Sequence, residues 1–217
     1  MKNYPFFIRS LVFALLLAPA LALGQELKPI VLPAPQTDGG KPLMQALKDR
    51  HSTREFSPDK LTTQVLSNLL WAAFGINRVD AGMRTAPSTM NWQEVDIYVA
   101  TADGLFLYDA KANELHQVAA DDVRALTGKQ AFVKDAPLNL VYVADLSKTG
   151  KGFDEEKNFC TGVDAGVIAQ NVYLFCASEG LNVVVRAGFD RDPLGKAMKL
   201  RPDQRILLSQ TVGYPKK

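Results

Sequence analysis

The run Leu138–Ala144 (LNLVYVA) constrains the fold more than any other segment. Nearly every residue is apolar, so it reads as a central strand buried on both faces. The full chain of 217 residues is long enough for one substantial core, or at most two small ones. Shorter strand signals surround this run: Val95–Val99, Leu105–Tyr108 after the Asp103-Gly104 turn, Glu114–Val118, Asn182–Arg186 and Ile206–Val212.

Helical patterns interleave with these strands. Leu43–Asp49 is a short helix. Leu61–Phe74 is a stronger one, with Thr62 as its cap, an apolar stripe at Val65, Leu66, Leu69, Leu70 and Ala73, and Gly75 at its end. Asp121–Leu126 and Leu194–Leu200 are short helices, the second ended by Arg201-Pro202. A long helix covers Thr161–Ser178, with Val163, Val167, Gln170, Leu174 and Ala177 on one face and Gly180 as its stop. Gly75–Gln93 lacks a clean period and reads as a long loop of the kind that often carries function. Strands and helices mix without regular alternation, which favours an α+β fold over a doubly wound one.

Residues 1–24 differ from the rest. Lys2 and Arg9 precede the apolar run Leu11–Leu23, which is short for a bilayer span and is followed by small residues. This is the pattern of a cleaved secretory signal, so the mature protein is expected to be exported, periplasmic or secreted. Residues 25–42 read as an extended arm and 43–217 as the folded domain. A net charge of +2 gives no electrostatic case for nucleic acid. Cys160 and Cys176 stand sixteen positions apart. Sixteen residues of helix separate two positions by ~24 Å, well beyond the roughly 7 Å that a disulfide spans. Neither His51 nor His116 stands at metal-ligand spacing from a cysteine.

Four segments hold the chemistry. Arg50-His51-Ser52-Thr53-Arg54 flanks two hydroxyls with guanidiniums, a donor set suited to phosphate or to a carbonyl-rich ring edge. Arg84–Gln93 (RTAPSTMNWQ) offers Ser88, Asn91 and Gln93 behind a stiff Pro87. Gln170-Asn171 places amides in mid-helix, where a half-buried face requires partners. Ala187-Gly188 ends a strand and lets a backbone N–H approach a flat ligand. Each segment alone also reads as ordinary surface, loop or strand exit.

Together, RHSTREF, APSTMNWQ, DAGVIAQNVYLFCASEGLNVV and VGYP occur in the order seen in the FMN-dependent nitroreductase superfamily, over Arg50 to Pro215. The chain resembles that superfamily, and within it looks closest to the SagB-type dehydrogenases of azoline oxidation. The resemblance implies a three-layer α+β fold with a central mixed, mainly antiparallel sheet flanked by helices, in an intertwined homodimer with FMN at the subunit interface. It implies that Arg50 and Ser52 meet the FMN phosphate and ribityl chain, that His51 between them is also cofactor-binding, and that Arg54 meets the pyrimidine end of the ring. Pro87 and Ser88 would reach the flavin from the partner subunit, and Asn91 would bond the polar ring edge. Ala187 and Gly188 would face the reactive nitrogen. Where family members often carry a basic residue beyond VGYP, this chain has Lys216 and Lys217.

The implied activity is transfer of hydride or electron pairs to or from a small organic molecule: a nitroaromatic, a quinone or an azoline-like compound. The flavin carries the chemistry, so no catalytic side chain is assigned, and no paired-carboxylate set is evident in the sequence. Tyr98, Tyr142 and Tyr173 are expected to pack in the core. Export would separate the protein from NAD(P)H and points to a membrane quinone or other redox partner. The alternative is a non-catalytic flavin-binding member of the family.

Overall fold

The structure is a computed structural model, and it describes residues 28–216. The expected signal segment, the first residues of the arm and Lys217 lie outside the described residues. In chain order the strands are β1 (Ile30–Val31), β2 (Ile76–Arg78), β3 (Met83–Arg84), β4 (Val95–Thr101), β5 (Gly104–Asp109), β6 (Glu114–Ala119), β7 (Leu138–Asp145), β8 (Asn182–Arg186) and β9 (Gln204–Gly213). The helices are α1 (Leu43–Asp49), α2 (Thr63–Phe74), α3 (Asp154–Glu179) and α4 (Arg191–Ala197).

Seven strands form one sheet in the order β1-β6-β5-β4-β7-β9-β8, and each of its pairings is antiparallel. β7 lies inside the sheet between β4 and β9, with all eight of its residues buried. Alternation along the strands builds two cores. On one face Ile97 and Val99 of β4 and Leu138, Leu140 and Tyr142 of β7 pack against Leu69, Leu70 and Ala73 of α2 and Ile168, Ala169 and Val172 of α3. On the other face Tyr98, Ala100, Val141 and Val143 pack with Phe189, Leu194 and Met198. The result is the expected three-layer α+β arrangement.

The β7–β9 register sets Tyr142 opposite Leu208 but Val143 opposite Ile206, so Leu207 is an inserted bulge residue. Arg191 of α4 donates from its guanidinium to the Ile206 and Leu207 carbonyls there, at 3.1 and 3.4 Å.

α2 starts as expected, with the Thr62 hydroxyl accepting from Val65 N–H at 3.3 Å. It ends at Gly75, but not through a left-handed residue: Gly75 has φ −70°. Space decides this position. A Cβ on Gly75 would stand 2.5 Å from Trp71 Cδ1 and 2.7 Å from Trp71 backbone atoms. Gly75→Ala is therefore expected to cost about 1–3 kcal/mol through overpacking, measured as a lower midpoint in urea unfolding. At the end of α3 the left-handed stop does occur, with Gly180 at φ 71°.

Several expectations are corrected. α3 starts at Asp154, seven residues before the expected Thr161. Its first residue is preceded by Phe153, which makes no side-chain cap, so no cap motif marks the start; Asp154, Glu155 and Glu156 favour the helix by opposing its dipole. The buried face of α3 carries Thr161, Asp164, Ala165, Ile168, Ala169, Val172, Tyr173 and Cys176. The face named from the sequence is instead the outer one: Val163 and Gln170 are exposed, and Val167, Leu174 and Ala177 are half-buried. Cys160 and Cys176 both lie in α3 and are unpaired.

α4 begins three residues earlier than expected, because Pro193 falls in its first turn, where a missing N–H is tolerated. Lys199, at φ 54°, closes the segment. Asp121–Leu126 is not an α-helix; a 3-10 turn forms at Arg124–Thr127, and the Asp122 carboxylate captures Arg124 N–H at 3.0 Å. The loop Gly75–Gln93 holds a small hairpin of β2 and β3 and two 3-10 turns. Part of the arm also pairs, as β1 against β6.

Candidate functional site

Residues 50–57 run beside β8 as an irregular edge. Thr53 N–H donates to Val183 O at 2.9 Å, and Val183 N–H donates back to the Thr53 hydroxyl at 2.9 Å. Asn182 Nδ2 holds Glu55 O at 2.6 Å, and Ser57 N–H reaches Tyr214 O at 2.9 Å. The centre of this arrangement is Tyr173 on α3. Its hydroxyl lies 2.7 Å from Ser52 Oγ and accepts from Val185 N–H of β8 at 3.0 Å. The Arg50 guanidinium sits over the Tyr173 ring, 5.4 Å from its centroid. Tyr173 packs in the core as expected, and it also joins the segment of Arg50 and Ser52 to the end of β8.

Ala187 and Gly188, just past that strand end, are both exposed. A Cβ on Gly188 would meet nothing within 4 Å, so a flat group has room at the Gly188 backbone. Arg54 and Lys216 line one open cleft with Phe56, Phe132 and Asp135, about 270 Å3 in volume. Among the described residues, Arg50, Arg54 and Lys216 form no ion pair. His51 is exposed, with Nδ1 2.6 Å from Asp49 O. Unpaired cations, a hydroxyl and an open backbone edge fit a planar ligand that carries a phosphate.

The Pro87–Asn91 loop lies elsewhere in the same chain. It rests on the N-terminal half of α3, where Asp164 Oδ2 accepts from Thr89 N–H at 2.8 Å and Oδ1 from the Thr89 hydroxyl at 3.3 Å. Asp164 and Tyr173 are nine positions apart on α3, roughly 13 Å along its axis. The loop is knit internally: Gln93 N–H donates to Ser88 Oγ at 3.0 Å, and Gln93 Nε2 to Asn91 Oδ1 at 3.1 Å. Arg84 Nε holds Gln93 Oε1 at 2.8 Å. Pro87 and Asn91 are exposed and Ser88 is half-buried. Met90, Asn91 and Gln93 all have positive φ, at 49°, 54° and 50°. Non-glycine residues there cost about 1–3 kcal/mol each and gather at functional sites.

Asn171, one of the mid-helix amides, is half-buried and reaches Ala73 O at the end of α2, at 3.5 Å. Gln170 is exposed.

Residues 47–214 match the nitroreductase family. The chain belongs to that family. Its members are flavin-dependent oxidoreductases, and residues 50–57, β8 and the 86–93 loop all fall within the matched span. A candidate nitroreductase of Methanocaldococcus jannaschii is 28% identical over 176 residues, 76% of this chain and 88% of that protein. The crystal structure of a candidate nitroreductase from Ralstonia eutropha is similar at 42% identity with a TM-score of 0.84, over 90% of this chain and 93% of that one. A candidate nitroreductase from Desulfovibrio desulfuricans, crystallised in complex with FMN, shares the fold at 19% identity with a TM-score of 0.60, over 82% and 89%.

Two carboxyls behind the loop were not read from the sequence. Glu94 is fully buried at the entry to β4, and Asp164 is 5% exposed on α3. Burial pushes the Glu94 carboxyl up to about 7, and the neighbouring Asp164 charge adds to this. They are seventy residues apart in the chain, so no local motif links them. The one available signal was Asp164 itself, an acid in step with the small and apolar residues Ala165, Ile168 and Ala169.

Proposed function

We propose that this protein is an exported FMN-dependent oxidoreductase that works as a homodimer and passes hydride or electron pairs to or from a small organic molecule. The observation that carries this reading is the Tyr173 hydroxyl, which draws Ser52 and Arg50 to the β8 end beside the open Gly188 backbone. When bound there, FMN supplies the electron-transfer chemistry. Arg50, Ser52 and Lys216 would hold its phosphate and ribityl chain. Arg54 brings an always-charged guanidinium to the pyrimidine edge, which favours acceptance of electrons. The backbone at Ala187 and Gly188 fixes the ring at its reactive edge.

Pro87, Ser88 and Asn91 complete the site from the partner subunit. A two-fold pairing of α3 helices would allow this, because antiparallel packing would set the Asp164 half of one helix against the Tyr173 half of the other. The outer face of α3 suits such packing, with Phe159 at 73% and Val163 at 48% exposure. Substrates of the nitroaromatic, quinone and azoline-like classes fit this chemistry, the last through the likeness to the SagB-type branch. Export motivates a membrane quinone or other redox partner in place of NAD(P)H.

The purified protein is expected to be yellow, to bleach with a reductant and to reoxidise with a quinone or nitroaromatic. Bleaching without reoxidation favours a flavin-binding protein without turnover. Arg54→Ala should lose most bound flavin while its apoprotein keeps the wild-type melting temperature, since Arg54 makes no hydrogen bond or ion pair among the described residues. Full flavin content and turnover in that variant would refute the site. Rapid reduction by low micromolar NADH or NADPH in stopped flow would count against the quinone-linked reading.

A further inference from the structure

Directly behind the loop that presents Ser88 lies a buried acid with no partner of regular geometry. Glu94 is 0% exposed, and neither of its carboxyl oxygens makes a hydrogen bond of normal geometry, although Asp164 stands beside it. Asp164 is occupied on its other side, gripping Thr89 through both the backbone N–H and the hydroxyl. Thr89 follows Ser88 and opens the strained stretch in which Met90, Asn91 and Gln93 take positive φ. A loop of that shape needs an external hold, and Asp164 provides one from α3.

Few other charges face Glu94. Lys148, from the turn after β7, is tied to Asp96 at 2.6 Å. Asp145, at the end of β7, is turned to Arg201 at 2.8 Å, and Arg84 of β3 to Gln93. An unprotonated Glu94 would therefore set a second buried negative charge against Asp164 with little to offset it.

We propose that Glu94 and Asp164 are positioning residues: a proton held between them keeps Asp164 on Thr89, and so keeps Ser88 and Asn91 in the geometry that completes the cofactor site. Loss of that proton sets carboxylate against carboxylate and loosens the grip on Thr89. Burial holds the Glu94 carboxyl up at about 7 from an ordinary 4.5. A carboxyl raised on folding contributes stability that is complete below its ordinary value and is lost as pH rises through the folded one. The loop is thus held below pH 7 and released above it. The inference rests on the flavin reading for its functional consequence, but the loop transition itself needs no flavin.

The apoprotein tests it first. Trp92 stands in this loop, against Gly150, where an added Cβ would lie 3.3 Å from its indole nitrogen. Its emission is expected to shift between pH 5.5 and 9 with a midpoint near 7, and Trp92→Phe should erase the shift. Glu94→Gln, which mimics the protonated acid, should flatten the transition. FMN affinity, followed by quenching of flavin fluorescence, should weaken about tenfold between pH 6.5 and 8.5 in the wild type, one unit of differential protonation, and stay constant in Glu94→Gln. Asp164→Asn removes the opposing charge and should likewise flatten the transition; it decides the matter if Glu94→Gln does not fold. A transition that persists in Glu94→Gln or in Asp164→Asn, or no transition in the wild type, would overturn the proposal. Failure to bind FMN at any pH would instead sink the flavin reading alone.

Discussion

Arg186→Ala is expected to destabilise the apoprotein by about 3–5 kcal/mol, a large part of the 5–15 kcal/mol that holds a typical domain folded. Arg186 ends β8 and is 7% exposed. It has no carboxylate partner among the described residues. Its guanidinium donates instead to the Thr211 hydroxyl at 2.5 Å, to Ser209 Oγ at 2.8 Å and to Asn139 Oδ1 at 3.1 Å. Burial pulls it down to about 10, so at neutral pH it is a buried cation held by neutral acceptors. Asn139, Ser209 and Thr211 are each fully buried.

Truncation would leave the Ser209 and Thr211 hydroxyls short of a donor, while Asn139 Oδ1 keeps the Thr211 hydroxyl, and would open a cavity beneath Phe132, whose ring lies 5.6 Å from the guanidinium carbon. Each orphaned buried group costs about 1–3 kcal/mol, and the cavity adds to that. Arg186→Met fills most of the volume without a charge and should lose about half as much. Urea unfolding of the two variants, with constant m-values, measures both losses. A loss below about 1 kcal/mol for alanine would mean that the network is not closed in solution. Ala187 and Gly188 follow directly, so the same network also fixes the strand end proposed to face the cofactor.

Gly166→Leu is expected to abolish the proposed dimer and with it tight flavin binding, while the folded monomer is kept. Gly162 and Gly166 lie four apart on the exposed side of α3, beside Val163, and a Cβ at either would meet nothing within 4 Å in this chain. Two glycines inside a helix cost about 1 kcal/mol each relative to alanine. Within one protomer nothing offsets that cost. Close approach of a second helix would, because glycine lets two helix backbones meet. Leucine there should raise monomer helix stability by up to about 1 kcal/mol and hold a partner helix off. Sedimentation velocity should show the monomer, and flavin titration the loss of affinity. A Gly166→Leu protein that remains dimeric with full flavin content would show that this face is not the contact.

Much of the fold was legible because it depends on local periodicity. The apolar run of β7, the stripe of α2 with its Thr62 cap, and the β8 limits all follow from spacing along a few residues. The start of α3 was missed because Phe153 provides no capping side chain. Its buried face was not legible because apolar residues lie on both sides of the helix: Val163 faces outward as Ile168 faces in. Periodicity shows that a helix has an apolar face, but not which of two faces its own sheet will cover.

By itself, the sequence determined the α+β class, the order and type of most elements, and the ordered motifs that mark the family. These are encoded in contiguous residues and survive any arrangement of the whole. Only tertiary structure decided that one tyrosine hydroxyl on α3 would join Ser52 to β8, and that Glu94 and Asp164 would meet behind the strained loop. Those contacts join residues from 12 to 121 positions apart in the chain. Their chemistry comes from desolvation, which no residue carries until the fold has closed around it.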